Sequence, residues 1–198
     1  MSVVVVPATL DRWADVETLL GSDGDRGCWC QAWRGTARSF GRPADEPRPE
    51  TLRWQLAAAS VPPGFLAYLD GDVAGWCGVG LRAELPRLRD SRTLPPTDAT
   101  PVWCVGCFRI RPGFRRRGIA TALLAGVVEA ARAAGAPGVE AYPVDPGERR
   151  VDSGFAFVGL ASMFDLAGFR RVAETGGHSA GLPRQLVRLD FPPLQSDA

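Results

Sequence analysis

The stretch Phe108-Arg109-Ile110-Arg111-Pro112-Gly113-Phe114-Arg115-Arg116-Arg117-Gly118-Ile119-Ala120-Thr121 decides how the rest of the chain is read. A strand-like run stops at Pro112, a basic loop follows, and Gly118 opens a segment of helical period. The first amides of a helix have no partner inside it. They point out of its N-terminus, where the macrodipole is positive. Gly118 has no Cβ, so a ligand can approach the backbone there. With Arg115, Arg116 and Arg117 just before it, the segment suits a phosphorylated anion, most naturally a pyrophosphate. The plainer alternative is a capped helix preceded by solvated arginines.

Composition narrows the choice. The chain has 198 residues, with 23 basic against 22 acidic side chains and a net charge of +1. Every basic residue is arginine; lysine and asparagine are absent, and His178 is the one histidine. Such a bias fits a GC-rich bacterial genome. Without lysine there is no P-loop lysine, and the spacing does not fit G-x-G-x-x-G. One histidine excludes a multi-histidine zinc site and obliges any Ser/His/Asp triad to use His178. The near-zero net charge argues against nucleic acid as the main partner. The run at residues 3–6 is stopped by Pro7 and is too short for a signal peptide or a membrane span. No other run approaches 18 apolar residues, and a cytoplasmic protein is expected.

Five cysteines (Cys28, Cys30, Cys77, Cys104, Cys107) are an odd number, expected to be reduced thiols. Cys28-Trp29-Cys30 and Cys104-Val105-Gly106-Cys107 could be two halves of a metal site. The first spacing is one residue short of a usual zinc knuckle. Packed small hydrophobes are the preferred reading, and no metal is expected.

Outward from the central stretch, residues 118–134 read as the clearest helix, with Ile119, Leu123, Gly126, Val127 and Ala130 on one stripe and Gly135 as its stop. Residues 102–110 and 139–142 read as the strands on either side of it. Upstream, residues 65–69 and 73–81 form a hairpin around Asp70-Gly71-Asp72. A short strand at 3–6 and a helix running to Leu20 begin the chain, and residues 50–60 read as another helix. Residues 84–100 are proline-rich and expected to be exposed. Residues 160–166 read as a helix, and 169–173 and 185–191 as strands separated by a Gly-Gly-containing loop. One mixed sheet flanked by helices, α/β or α+β, is expected over residues 1–198 as a single domain.

The central stretch resembles a family. Arg115-x-x-Gly118-x-Ala120 is similar to the R/Q-x-x-G-x-G/A motif of the GNAT superfamily of acyl-CoA N-acyltransferases. The run Ile110-Arg111-Pro112 resembles the V-x-P end of that family's fourth strand. Phe164-Asp165-Leu166-Ala167-Gly168-Phe169 is similar to its Y-x-x-x-G-F segment. The resemblance covers roughly residues 65–191, with the motif for coenzyme A at 108–135. It implies a GNAT-like domain that binds acetyl-CoA or another acyl-CoA and passes the acyl group directly to a primary amine of a small molecule or protein. It implies that the backbone of Arg116, Arg117, Gly118, Ile119, Ala120 and Thr121 holds the pyrophosphate, next to Arg115. Pantetheine is then expected beside the backbone of Phe108 and Ile110, between the fourth and fifth strands. A homodimer is also compatible with the family.

The chain departs from the family where catalysis is concerned. Phe164 stands at the position of the usual tyrosine acid, and Trp103-Cys104-Val105-Gly106-Cys107 lacks the glutamate many members carry on the fourth strand. The candidates left are Tyr142 as acid, with Ser162 behind it, and Glu84 as base, with Glu140, Asp145, Asp152 and His178 behind it. Trp29 and Trp33 can line an acceptor pocket or pack a loop. Two further function classes stay open: a coenzyme A-binding module without catalysis, and a cysteine-based metal or redox protein.

Overall fold

The β-branched run of β1 (Val3–Pro7) pairs antiparallel with β2 (Gly64–Leu69), which turns back through Asp70 and Gly71 into β3 (Asp72–Leu81). The computed structural model describes residues 2–35, 47–147, 156–179 and 181–192. β3 pairs antiparallel with β4 (Trp103–Ile110), and β4 pairs parallel with β5 (Gly138–Ala141). β7 (Leu182–Asp190) and β6 (Arg170–Ser179) complete a seven-stranded sheet in the order β1-β2-β3-β4-β5-β7-β6. Among the described residues, the parallel strand pair β4–β5 is connected through the longest helix, as a strand–helix–strand crossover requires.

The helices are α1 (Trp13–Leu20), α2 (Gln31–Arg34), α3 (Arg48–Ala58), α4 (Pro86–Arg89), α5 (Ile119–Ala133) and α6 (Ala161–Leu166). α5 buries Ile119, Leu123, Leu124, Val127, Val128 and Ala131 with Phe65, Val79 and Val105 of the sheet. Gly126 is required there, since a Cβ would come within 2.5 Å of the Val5 side chain. The other face is covered by α1, whose Val16 and Leu19 pack with Leu52, Leu66, Trp29 and Trp76.

Two expectations are corrected. Residues 84–100 are not simply exposed. Leu85, Leu88 and Leu94 are buried with Trp33, Tyr142, Val144 and Leu186, because α4 lays its apolar side on the sheet. Residues 176–178 are not a loop but lie in β6, which pairs His178 with Pro183 across an irregular register. A glycine pair in an edge strand weakens the local signal for a strand.

The sheet forks between its two parallel strands. Pairing of β4 with β5 covers Trp103 to Val105 against Val139 to Ala141 and goes no further. At that point β4 carries a bulge. Its register on β3 passes from Gly78 opposite Cys107 to Val79 opposite Val105, which leaves Gly106 without a partner. A bulge bends the strand that carries it. Beyond the fork, Val144 bridges to Leu160 and Arg184 instead of to β4.

Candidate functional site

The loop after β4 is turned by residues with left-handed backbone: Gly113 (φ 87°), Arg116 (φ 60°) and Gly118 (φ 75°). A positive φ is uncommon for an arginine and costs energy that the surroundings must offset. Gly118 is the N-cap of α5, and its carbonyl accepts the Ala122 amide at 2.9 Å. The amides of Ile119, Ala120 and Thr121 therefore precede the first turn's bonds and have no acceptor among the described residues. A Cβ at Gly118 would meet nothing within 4 Å, so the space over this turn is open. Arg115, Arg116 and Arg117 are exposed around it, and Arg117 stands 5.9 Å from the Phe114 ring. Open backbone donors, left-handed turns and three cations together suit an anion.

Phe108 and Ile110 lie on the part of β4 that has lost β5. The Phe108 ring meets Phe164 edge-on at 6.3 Å, and Phe164 meets Phe169 at 5.1 Å. Phe164 is fully buried, so where the family places a tyrosine this chain places a core aromatic.

Tyr142 follows the last residue of β5, at the fork, and is 1 % exposed. Its hydroxyl accepts a hydrogen bond from Arg82 and faces the Pro95 carbonyl at 3.5 Å. Burial drives its acidity well below that of a free tyrosine. Glu84 is exposed, on a 3-10 turn beyond the end of β3 opposite the start of β4. Glu140 has no exposure and is ion-paired to Arg188, which also grips Asp98. Asp145 is bound by Arg171 at 2.8 Å and Gln185 at 3.1 Å, and Ser162 is exposed on α6. Asp152 lies outside the described residues.

The two tryptophans part company. Trp29 stacks on Trp13 at 5.7 Å, donates to the Gly24 carbonyl and is 2 % exposed, so it packs α1. Trp33 donates its Nε1 to the carbonyl of the bulge residue Gly106 and lines a cleft of about 280 Å³. His178, Arg87 and Arg184 line the same cleft.

The arginines of that cleft escape a reading based on motifs. Arg184 is found by a different signal: Leu182, Arg184, Leu186 and Arg188 alternate along β7 and all four are buried. An arginine at an inward strand position is unusual. Starting this strand at residue 185 leaves Arg184 out of account.

The cysteines do not assemble into a ligand set. Cys30 lies 3.7 Å from Cys107, Cys28 is exposed, and Cys77 and Cys104 are buried. Among the described residues no three His, Cys, Asp or Glu side chains gather as a metal ion would need. A hydrogen bond from Cys107 holds the Cys30 thiol below its ordinary range, against the effect of burial. Among the described residues no helix is long and apolar enough to cross a membrane.

A seven-stranded mixed sheet forked at its one parallel pair, with an open helix N-terminus at the end of the forking strand, defines an acyltransferase-type fold. The acetyltransferase (GNAT) family profile matches residues 29–151, and the chain belongs to that family. Solved structures agree in fold. An aminoglycoside acetyltransferase AAC(6')-Ib in complex with coenzyme A superposes with a TM-score of 0.58 at 16% identity, covering 96% of this chain and 95% of that one. An N-acetyltransferase from Staphylococcus aureus Mu50 gives 0.56 at 14%, covering 96% and 99%. A polyamine N-acetyltransferase from Drosophila melanogaster gives 0.54 at 13%, covering 96% and 100%. None of the curated proteins matches the sequence.

Proposed function

We propose that the chain binds acetyl-CoA, or another acyl-CoA, and transfers the acyl group directly to a primary amine of a small molecule or a protein. The observation that carries this is the loop from Arg115 to Thr121. Its left-handed Arg116 and Gly118 precede three helix amides that no described residue takes, and the space over Gly118 is open. The amides of Arg116, Arg117, Gly118, Ile119, Ala120 and Thr121 take the pyrophosphate, with the Arg115 to Arg117 side chains supplying charge. The backbone of Phe108 and Ile110 borders the pantetheine, on the edge of β4 that β5 has left.

The cosubstrate supplies an activated thioester. The protein's part is to hold it at the fork, to admit the amine from the Trp33 side, and to let a proton leave the nitrogen. Tyr142 and Glu84 are the acid and base to test. Coenzyme A thiol has a pKa near that of a free thiol, about 8.5, so its thiolate can leave without a protein acid. The fully buried Phe164 favours one second reading, a module that keeps the cradle and has lost catalysis.

Calorimetry with acetyl-CoA, followed by thiol release against a panel of amines, tests both. Binding with amine-dependent thiol release supports the enzyme. Binding with no release across the panel supports the module. No binding, and no rise in melting temperature at saturating acetyl-CoA, overturns the shared cradle.

A further inference from the structure

The cleft beside Trp33 is lined by a buried cation, Arg184, that pairs with no acidic side chain among the described residues. Its walls include Trp33, Arg87, Asp90, Thr93, His178 and Arg184. Arg184 is 6 % exposed. Its Nε donates to the Tyr142 carbonyl at 2.7 Å, and no described residue accepts from its two terminal nitrogens. The guanidinium carbon stands over both rings, 4.8 Å from the Trp33 centroid and 5.9 Å from that of Tyr142. Arg87 stands over the same indole at 5.8 Å. Among the described residues the acidic side chain lining the cleft is Asp90, which is held by Arg89 through bonds of 2.7 and 2.9 Å.

Burying a guanidinium without a counter-charge is costly. Here the cost is raised by a second arginine of like sign, and desolvation pulls the Arg184 pKa down to about 10. Chains keep such a group where a ligand supplies the missing charge. The planar fork of arginine matches a carboxylate by two parallel hydrogen bonds. A cleft of about 280 Å³ is at the small end of ligand sites, the size of an amino acid rather than of a polymer. Trp33 forms the wall between this cleft and the bulge at Gly106, where the sheet forks. The cleft and the fork thus share the Trp33 side chain.

We infer that the acceptor is an amino acid, with its carboxylate held by Arg184 and Arg87 over the face of Trp33. The inference rests on the acyltransferase reading and specifies its substrate. In the step, the amine nitrogen bonds the acyl carbon as the carbon–sulfur bond breaks. The nitrogen loses one proton, and coenzyme A takes up one proton as its free thiol. The product is an N-acyl amino acid.

The test compares each amino acid with its decarboxylated amine, its carboxamide and its aminophosphonate, with acetyl-CoA saturating. A charge-assisted pair of bonds should favour the amino acid in kcat/KM by at least about tenfold over the amine and the amide. Equal or better use of the decarboxylated amines overturns the inference while leaving the acyltransferase reading intact. A preference for the aminophosphonate overturns the carboxylate in favour of a phosphate-bearing acceptor.

Arg184→Lys keeps the charge and loses the fork. It should raise the amino-acid KM by at least about tenfold, with acetyl-CoA affinity unchanged. Arg87→Gln, at an exposed position, should raise the amino-acid KM, with acetyl-CoA affinity unchanged. Unchanged KM in both overturns the inference. A readout independent of turnover is calorimetric binding of N-acetyl amino acids against their amides. Tighter binding of the acid, lost in Arg184→Lys, supports the site; equal binding overturns it. Failure to bind acetyl-CoA is a separate result and would count against the cradle at Gly118, not against the carboxylate site.

Discussion

The indole Nε1 of Trp33 donates to the carbonyl of Gly106 at 2.9 Å, which ties α2 to the bulge of β4. The contact is close. A Cβ at position 106 would lie 2.8 Å from Trp33 Cδ1, so the indole occupies the space a side chain would need. The short helix α2 and the point where the sheet forks are thereby joined, and the same indole lines the arginine-bearing cleft.

Trp33→Phe keeps the aromatic surface and removes the donor. The Gly106 carbonyl is then left unsatisfied in a buried place, at a cost of about 1–3 kcal/mol. Urea unfolding of the variant should show that loss. A stability equal to that of the parent chain would mean that water reaches the bulge and that the tie is dispensable.

Gly118→Val and Gly113→Val separate backbone strain from ligand exclusion. Both glycines have positive φ, 75° and 87°, and a Cβ at either meets nothing within 4 Å. Each substitution should cost on the order of 1–2 kcal/mol of stability. Coenzyme A affinity should fall at least about tenfold in Gly118→Val, because a side chain there stands over the helix amides. In Gly113→Val it should change little. Equal affinities in calorimetry would move the phosphate site elsewhere.

Arg188 anchors the β5–β7 pair through buried Glu140 and through Asp98. Arg188→Met leaves the Glu140 carboxylate buried and unpaired and should cost about 3–5 kcal/mol. Glu140→Gln should be milder, and thiol release per folded molecule should persist, since this side chain has no exposure. A complete loss of turnover in a folded Glu140→Gln protein would reinstate it as the base.

The same cluster sets an acid limit. The Arg188 hydrogen bond holds the Asp98 carboxyl far below its ordinary 3.8. A carboxylate depressed in the folded state contributes stability above its unfolded pKa, and that contribution fades as pH falls below it. Melting temperature should therefore drop as pH falls through about 4, and Asp98→Asn should flatten that part of the curve. Superimposable profiles would show that Asp98 does not contribute.

Tyr142→Phe and Glu84→Gln test the two catalytic candidates. Removal of a general acid or base costs about a hundredfold or more. Tyr142 is enclosed by Arg82 and the Pro95 carbonyl, so its loss should appear mainly as reduced stability, with turnover falling by much less than that. Glu84 is exposed and does not line the cleft, and its loss should leave both stability and turnover near those of the parent. A hundredfold fall in thiol release by either variant, with acetyl-CoA still bound, would assign it the chemical role.

The sequence by itself determined the hairpin β2–β3, the strand β4, the loop with Gly118 and the helix α5. Each of these is written in local signals: alternation, a turn at Asp70-Gly71, a proline that ends a strand, and apolar residues at helical spacing. The phosphate-suited turn is legible for the same reason, since its donors are consecutive backbone amides. Only tertiary structure decided the surroundings of the fork. It buried Leu85, Leu88 and Leu94 of the proline-rich segment after β3, drew the Gly-Gly segment into β6, and enclosed Glu140 and Tyr142 with arginines. It also brought Trp33, Arg87 and Arg184 into one cleft from α2, α4 and β7. Those three side chains are far apart in the chain and share no local period. Their meeting depends on strand order and on the bulge at Gly106, which are set by packing across the whole sheet.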